Sequence, residues 1–91
     1  MLKAYVVERD IPGAGAMSDD EAREAARTSN AALAQLAPRI QWQHSHPAGD
    51  KVFCLYLAED EDVIHEHSRL SGIPLTTIHE VGRRMDPTVA I

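Results

Sequence analysis

The spacing of apolar residues switches between a period of two and a period near 3.6, and the switches divide the chain into a short series of elements. Residues 2–8 are apolar and rich in β-branched side chains, which predicts a first strand. Asp10-Ile11-Pro12-Gly13-Ala14-Gly15 then breaks the pattern with loop chemistry. Ser18-Asp19-Asp20-Glu21 has the S-x-x-E form of a capping box, which predicts a helix start. Over residues 21–36, Ala22, Ala25, Ala26, Ser29, Leu33 and Leu36 fall on one arc, with Glu24, Arg27, Ala31 and Gln35 opposite. That is a helical period, with small residues suited to lying close against a sheet, and Pro38 ends it.

Residues 39–46 alternate, with Ile40, Trp42, His44 and His46 on one face and Gln41, Gln43 and Ser45 on the other, which predicts a second strand. Pro47-Ala48-Gly49-Asp50 is turn chemistry, and residues 51–58 make the partner strand of a hairpin. Asp60 is placed to cap a second helix, with Glu61 and Asp62 at its positive end. Val63, Ile64, His67 and Leu70 form its inward arc, and Gly72 and Pro74 stop it. Residues 76–83 form the last strand, and Asp86-Pro87 opens a tail.

The resulting order, β-α-β-β-α-β, is the split βαβ or ferredoxin-like pattern, an α+β fold with one four-stranded antiparallel sheet. Its helices cover one face of the sheet only. The hairpin register then decides which residues lie under them. A two- or four-residue loop around Ala48-Gly49 places His44 beside Phe53 and Trp42 beside Leu55, and unites Ile40, Trp42, Phe53, Leu55 and Leu57 in one core. A three-residue loop places His44 beside Cys54 instead. The first register is the expected one, and it leaves Cys54 and Tyr56 on the second face. A partly apolar face of that kind calls for a partner, so a homodimer is expected.

Ninety-one residues make one domain, residues 1–91, with a modest core, and pairing with a second copy is the usual remedy at this size. The net charge is −5, and the basic residues are scattered, with only Arg83-Arg84 adjacent. Without a basic stripe there is nothing to hold a phosphate backbone, so nucleic acid is not an expected partner. No segment has the ~20 apolar residues of a membrane helix, and the first residues lack the pattern of a signal peptide. One cysteine, Cys54, cannot form an internal disulfide. The expected setting is therefore cytoplasmic, with no membrane partner.

Five histidines are the notable chemistry. His67 lies mid-arc on the second helix and faces the sheet, whereas His65 points away, so the two cannot chelate one ion from one helix face. His44 and His46, two apart on a strand, share a face. In the expected register His44 and His67 converge between helix and sheet, with His46 at the rim. Two imidazoles with a carboxylate or thiolate suit Ni, Zn, Cu or Fe, and Glu8, Glu80 and Cys54 are candidates for the remaining ligand. The plainer alternatives are a hydrogen-bonded core histidine at position 67 and a small buried hydrophobe at Cys54. No C-x-x-C, H-E-x-x-H, nucleophile elbow or dinucleotide fingerprint occurs, and Gly13-Ala14-Gly15 reads as a flexible turn.

Several segments together resemble a known family: Val7-Glu8-Arg9-Asp10-Ile11-Pro12-Gly13, Ile40-Gln41-Trp42-Gln43-His44-Ser45, Asp50-Lys51-Val52-Phe53-Cys54-Leu55-Tyr56, Glu66-His67-Ser68-Arg69 with Gly72-Ile73-Pro74, Ile78-His79-Glu80-Val81 and Met85-Asp86-Pro87-Thr88. The family is the small bacterial nickel-binding-protein-like group, and the likeness runs through nearly the whole chain in the same order. It implies a ferredoxin-like subunit of a dimeric α+β barrel, and it implies binding of nickel or another divalent transition metal. His44, Cys54, His67 and Glu80 match positions typical of the family. His46 departs from it, standing where an aromatic residue is common, and His65 and His79 are individual to this chain. The leading expectation is thus a small metal-binding protein with His44 and His67 as ligands. The alternative is a cofactor-independent enzyme of the monooxygenase or isomerase type, which holds an apolar molecule between helix and sheet with His67 as general base.

Overall fold

The structure, a computed structural model, describes all 91 residues. Strand β1 (Lys3–Asp10) leads through a 3₁₀ turn at Ala14–Ala16 into helix α1 (Asp19–Leu36). The hairpin β2 (Ile40–Ala48) and β3 (Lys51–Ala58) follows, then α2 (Glu61–Ser71), β4 (Thr77–Val81) and a final 3₁₀ turn at Pro87–Ala90. The four strands form one antiparallel sheet in the order β2-β3-β1-β4, with β1 and β3 central. Both helices pack on one face, which is the ferredoxin-like α+β arrangement anticipated from the element order.

The helix ends follow their capping residues. Ser18 Oγ accepts from the Glu21 amide while the Glu21 carboxylate accepts from the Ser18 amide, so the reciprocal box satisfies two orphan donors. Asp60 caps α2 by accepting from the Val63 amide, and Gly72, with φ +72°, closes its other end in the left-handed conformation glycine favours. No helix is long and apolar enough to cross a membrane.

The core lies between the helices and the sheet: Tyr5 and Val7 from β1, Val52, Cys54, Tyr56 and Ala58 from β3, Ile40 from β2, Leu36 from α1, and Val63 and Ile64 from α2. The facing of β3 is therefore opposite to the expected one. Cys54 and Tyr56 lie under the helices, while Phe53, Leu55 and Leu57 line the uncovered face, with Phe53 37% exposed. Both alternate sets of β3 are apolar, and the set that is buried is the one in phase with Tyr5 and Val7 across the β1–β3 ladder.

The hairpin itself closes with a two-residue turn, Gly49-Asp50, because Ala48 pairs with Lys51 and Gly49 takes φ +58°. His44 pairs with Leu55 and His46 with Phe53. Strict alternation in β2 does not hold: a bulge at Gln43 lets Trp42 pair with Tyr56 and His44 with Leu55. Ile40, Trp42 and Ser45 thus serve the helix side, and His44 and His46 are turned to the uncovered side. Pro47 continues the strand, which it can do because β2 is an edge strand.

The turn at Ala14–Ala16 packs backbone to backbone on the β2–β3 turn, with the Gly15 amide donating to the Gly49 carbonyl at 2.8 Å. A Cβ on Gly15 would meet the Gly49 nitrogen at 2.6 Å, whereas one on Gly82 would meet nothing within 4 Å. Gly15→Ala should therefore cost about 1–3 kcal/mol by overpacking, while Gly82→Ala should be neutral or stabilise by up to ~1 kcal/mol. Urea denaturation of the two variants checks this, and equal stability would contradict the close approach.

Candidate functional site

On β1 the buried phase runs Tyr5, Val7, Arg9, so the strand carries an arginine into the core position that follows two apolar ones. Arg9 is 2% exposed and forms no ion pair with any Asp or Glu. Its guanidinium is held by neutral acceptors instead. Nη1 donates to Ser68 Oγ at 3.0 Å, to the Pro74 carbonyl at 2.9 Å and to the Ile73 carbonyl at 3.4 Å. Nη2 lies 3.2 Å from the Tyr56 hydroxyl and 3.4 Å from His67 Nδ1.

These contacts fix the state of His67. A guanidinium can only donate, so Nδ1 accepts, and the ring proton sits on Nε2, facing Ser29 Oγ at 3.2 Å. His67 is fully buried on the inner arc of α2, as its spacing with Val63 and Ile64 predicts. Burial first, and the Arg9 charge second, push its pKa down to about 4, so the ring is neutral near pH 7. Burial also raises the Tyr56 phenol to about 12, against the opposing pull of Arg9. Neither group ionises at neutral pH.

Beside this network the N-terminal half of α1 stands away from the hairpin and leaves a cavity of about 610 Å³. Ala22, Ala25 and Ala26 form its helical wall, Trp42, Val52 and Cys54 its sheet wall, and Arg9, Ser29 and Tyr56 its polar end. The close packing expected of Ala22, Ala25 and Ala26 thus does not occur, and α1 is buried instead at Ser29, Ala32 and Leu36.

The uncovered face carries different chemistry. His46 Nε2 lies 3.0 Å from His44 Nδ1, with the rings edge to face and their centroids 4.9 Å apart. Val6, Phe53 and Leu55 surround the pair. Farther across the same face, toward β4, Glu8 accepts from Thr77 Oγ1 at 2.8 Å and lies 3.2 Å from His79 Nε2 and 3.9 Å from Lys51 Nζ. The Thr77 hydrogen bond, then His79, hold the Glu8 carboxyl below its usual range.

The six sequence-derived ligand candidates are therefore split by the sheet. His44, His46 and Glu8 lie on the uncovered face, Cys54 and His67 beneath the helices, and Glu80, paired with Tyr5 on the outer strand β4, is exposed. The expected convergence of His44 and His67 does not occur within one chain, because the two stand on opposite faces. Both ring nitrogens of His67 are also engaged, by Arg9 and Ser29. His65 is exposed, as anticipated. Within one chain, no three His, Cys, Asp or Glu side chains stand close enough to hold a metal ion. Sequence reasoning placed Ser29 on the inward arc of α1 without a partner and gave Arg9 no role in the site. The signal for Arg9 was its phase with Tyr5 and Val7.

The sequence pattern of the family described as "Nickel responsive protein SCO4226-like" matches residues 5–81. The crystal structure of SCO4226 from Streptomyces coelicolor A3(2) superposes on this chain with a TM-score of 0.72 at 15% identity, over 90% of this chain and 99% of that one. At that identity the likeness concerns the fold. No curated protein matches in sequence.

The depressed pKa of His67 has a consequence for stability. The unfolded chain protonates this ring near 6.5 and the folded chain only near 4, so the contribution is complete above pH 6.5 and is lost as pH falls toward 4. Stability should drop by about 2 kcal/mol between pH 7.5 and pH 5. Gln at position 67 can accept from Arg9 and donate to Ser29 without titrating, so His67→Gln should flatten that slope. Urea denaturation at the two pH values checks it; an unchanged slope in the variant would assign the pH dependence elsewhere.

Proposed function

Because the chain belongs to the family of nickel-responsive, SCO4226-like proteins, we propose that it binds a divalent transition metal of the nickel type through His44 and His46. We place the pair in an interface between two copies of the chain. The observation that carries this reading is the 3.0 Å separation of His46 Nε2 and His44 Nδ1. Here a ring N–H bridges the two nitrogens; two imidazole nitrogens at about 2.1 Å from one ion, on adjacent positions, also lie about 3 Å apart, so a metal that displaces that proton would find the pair at the separation of neighbouring ligands. Borderline nitrogen donors of this kind suit nickel, zinc and copper.

Two imidazoles are half of a ligand set. The other half comes from water or from a second copy, and the surroundings favour the copy. Val6, Phe53 and Leu55 make the face around the pair apolar, and the helices leave it bare. A homodimer through this face buries that surface and brings a second set of donors toward the first. A stable obligate interface of this sort covers roughly 2,000 Å² or more. His67 and Cys54 take no part in this reading, since the first has no free lone pair and the second is buried under α1. A single free, buried cysteine fits a reducing, cytoplasmic setting.

Calorimetric titration of tag-free protein with nickel, and separately with zinc, is the direct test. Wild type should bind, His44→Ala and His46→Ala should each weaken binding severely, and His67→Gln should leave it intact. Affinity should fall as pH is lowered, because protons compete with the metal for the ligand nitrogens. Absence of binding at neutral pH, or full binding by the double variant, would end the metal reading. Sedimentation separately tests the dimer: a monomer at micromolar concentration refutes the shared site.

A further inference from the structure

From the cavity under α1 we infer a second binding site, one that takes a small monocarboxylate with an apolar tail, its carboxylate seated against Arg9, Tyr56 and Ser29. The inference does not rest on the metal reading, which concerns the opposite face of the sheet.

The reasoning begins with charge. Burying a guanidinium is costly unless a negative partner or a full set of acceptors compensates it. Arg9 is 2% exposed, and every acceptor it has is neutral: Ser68, Ile73, Pro74, Tyr56 and His67. Its positive charge is thus solvated by dipoles but not neutralised, and it lines the cavity.

Two further protons share that end of the cavity. Tyr56 accepts from Arg9 through its oxygen, so its own O–H remains to be donated, with the weakly accepting Cys54 thiol beside it. Ser29 receives the Nε2 proton of His67, so its O–H is likewise free to donate. A cation flanked by two hydroxyl donors complements an oxyanion, and charge-assisted bonds of this type are the strong ones.

The remaining walls select the rest of the ligand. Ala25, Ala26, Trp42 and Val52 offer apolar surface, and about 610 Å³ is within the size range of small-molecule pockets. Glu21 and Glu24 stand at the mouth on exposed turns of α1. They disfavour multiply charged anions such as phosphates, whose charge cannot all be drawn to the deep end. A single carboxylate on an apolar tail is the class that satisfies both ends.

Trp42, the only tryptophan, lines the cavity and supplies the readout. Titration of octanoate against Trp42 fluorescence should give a saturable change, and octanoate should bind at least about tenfold more tightly than 1-octanol. Ala25→Phe fills the cavity from an exposed helical position, and Tyr56→Phe removes one donor at nearly constant volume. With folding verified by circular dichroism, Ala25→Phe should weaken octanoate binding at least about tenfold and Tyr56→Phe several-fold. The His44→Ala, His46→Ala double variant should bind octanoate as wild type does, which keeps the outcome separate from that of the metal site. No saturable response, equal affinity for acid and alcohol, or undiminished binding by either folded variant would overturn the proposal.

Discussion

The guanidinium of Arg9 links parts of the fold that are far apart in sequence. From the C-terminal end of β1 it reaches Tyr56 on β3, Ser68 and His67 on α2, and the Ile73 and Pro74 carbonyls that lead into β4; through His67 the chain of contacts continues to Ser29 on α1. Every layer of a two-layer fold thereby meets at one buried charge. Because that charge has no acid partner, its neighbours must remain oriented toward it with their acceptor atoms. Hydrogen bonds in such a dry setting are stronger than in water, and the penalty for breaking one is correspondingly larger.

The arrangement also decides what His67 is. An imidazole beside an unneutralised cation and out of contact with water cannot take up a proton near neutral pH, and with Nδ1 accepting and Nε2 donating it has no site left for a metal or a substrate proton. A histidine in the middle of an apolar helical arc can be a ligand, a base or a strut. The neighbours distinguish these, and here they make a strut. The general-base role that the sequence allowed for His67 is without a free lone pair in this geometry.

Much of the fold was readable because local signals agreed with one another. The S-x-x-E box at Ser18, the cap at Asp60, the glycine stop at Gly72 and the inward arc of α2 each appear as read. The site was less readable, for two physical reasons. Strand β3 is apolar on both alternate sets, so periodicity carried no information about which set the helices cover; only its pairing with Tyr5 and Val7 decided it. Strand β2 contains a bulge at Gln43, and a bulge shifts the phase of a strand without leaving a composition signal. His44 does share a face with Phe53 and Leu55, as its register implied, but that face is the uncovered one. The cavity was hidden as well, since a row of alanines encodes close approach and vacancy equally well.

The bulge then has a role beyond shape. Without it Trp42 and His44 would point to the same side, and the strand would present either both to the helices or both to the open face. With it, Trp42 and Ser45 close the cavity wall, joined by a hydrogen bond from the indole to the hydroxyl at 2.8 Å, while His44 and His46 stand together outside. One extra residue thus separates two chemistries across a single layer of backbone: a pocket with a buried guanidinium at its inner end under α1, and a pair of imidazoles on the bare face. The burial pattern of the sheet thus keeps the two proposed sites on opposite faces, where their ligands would not compete.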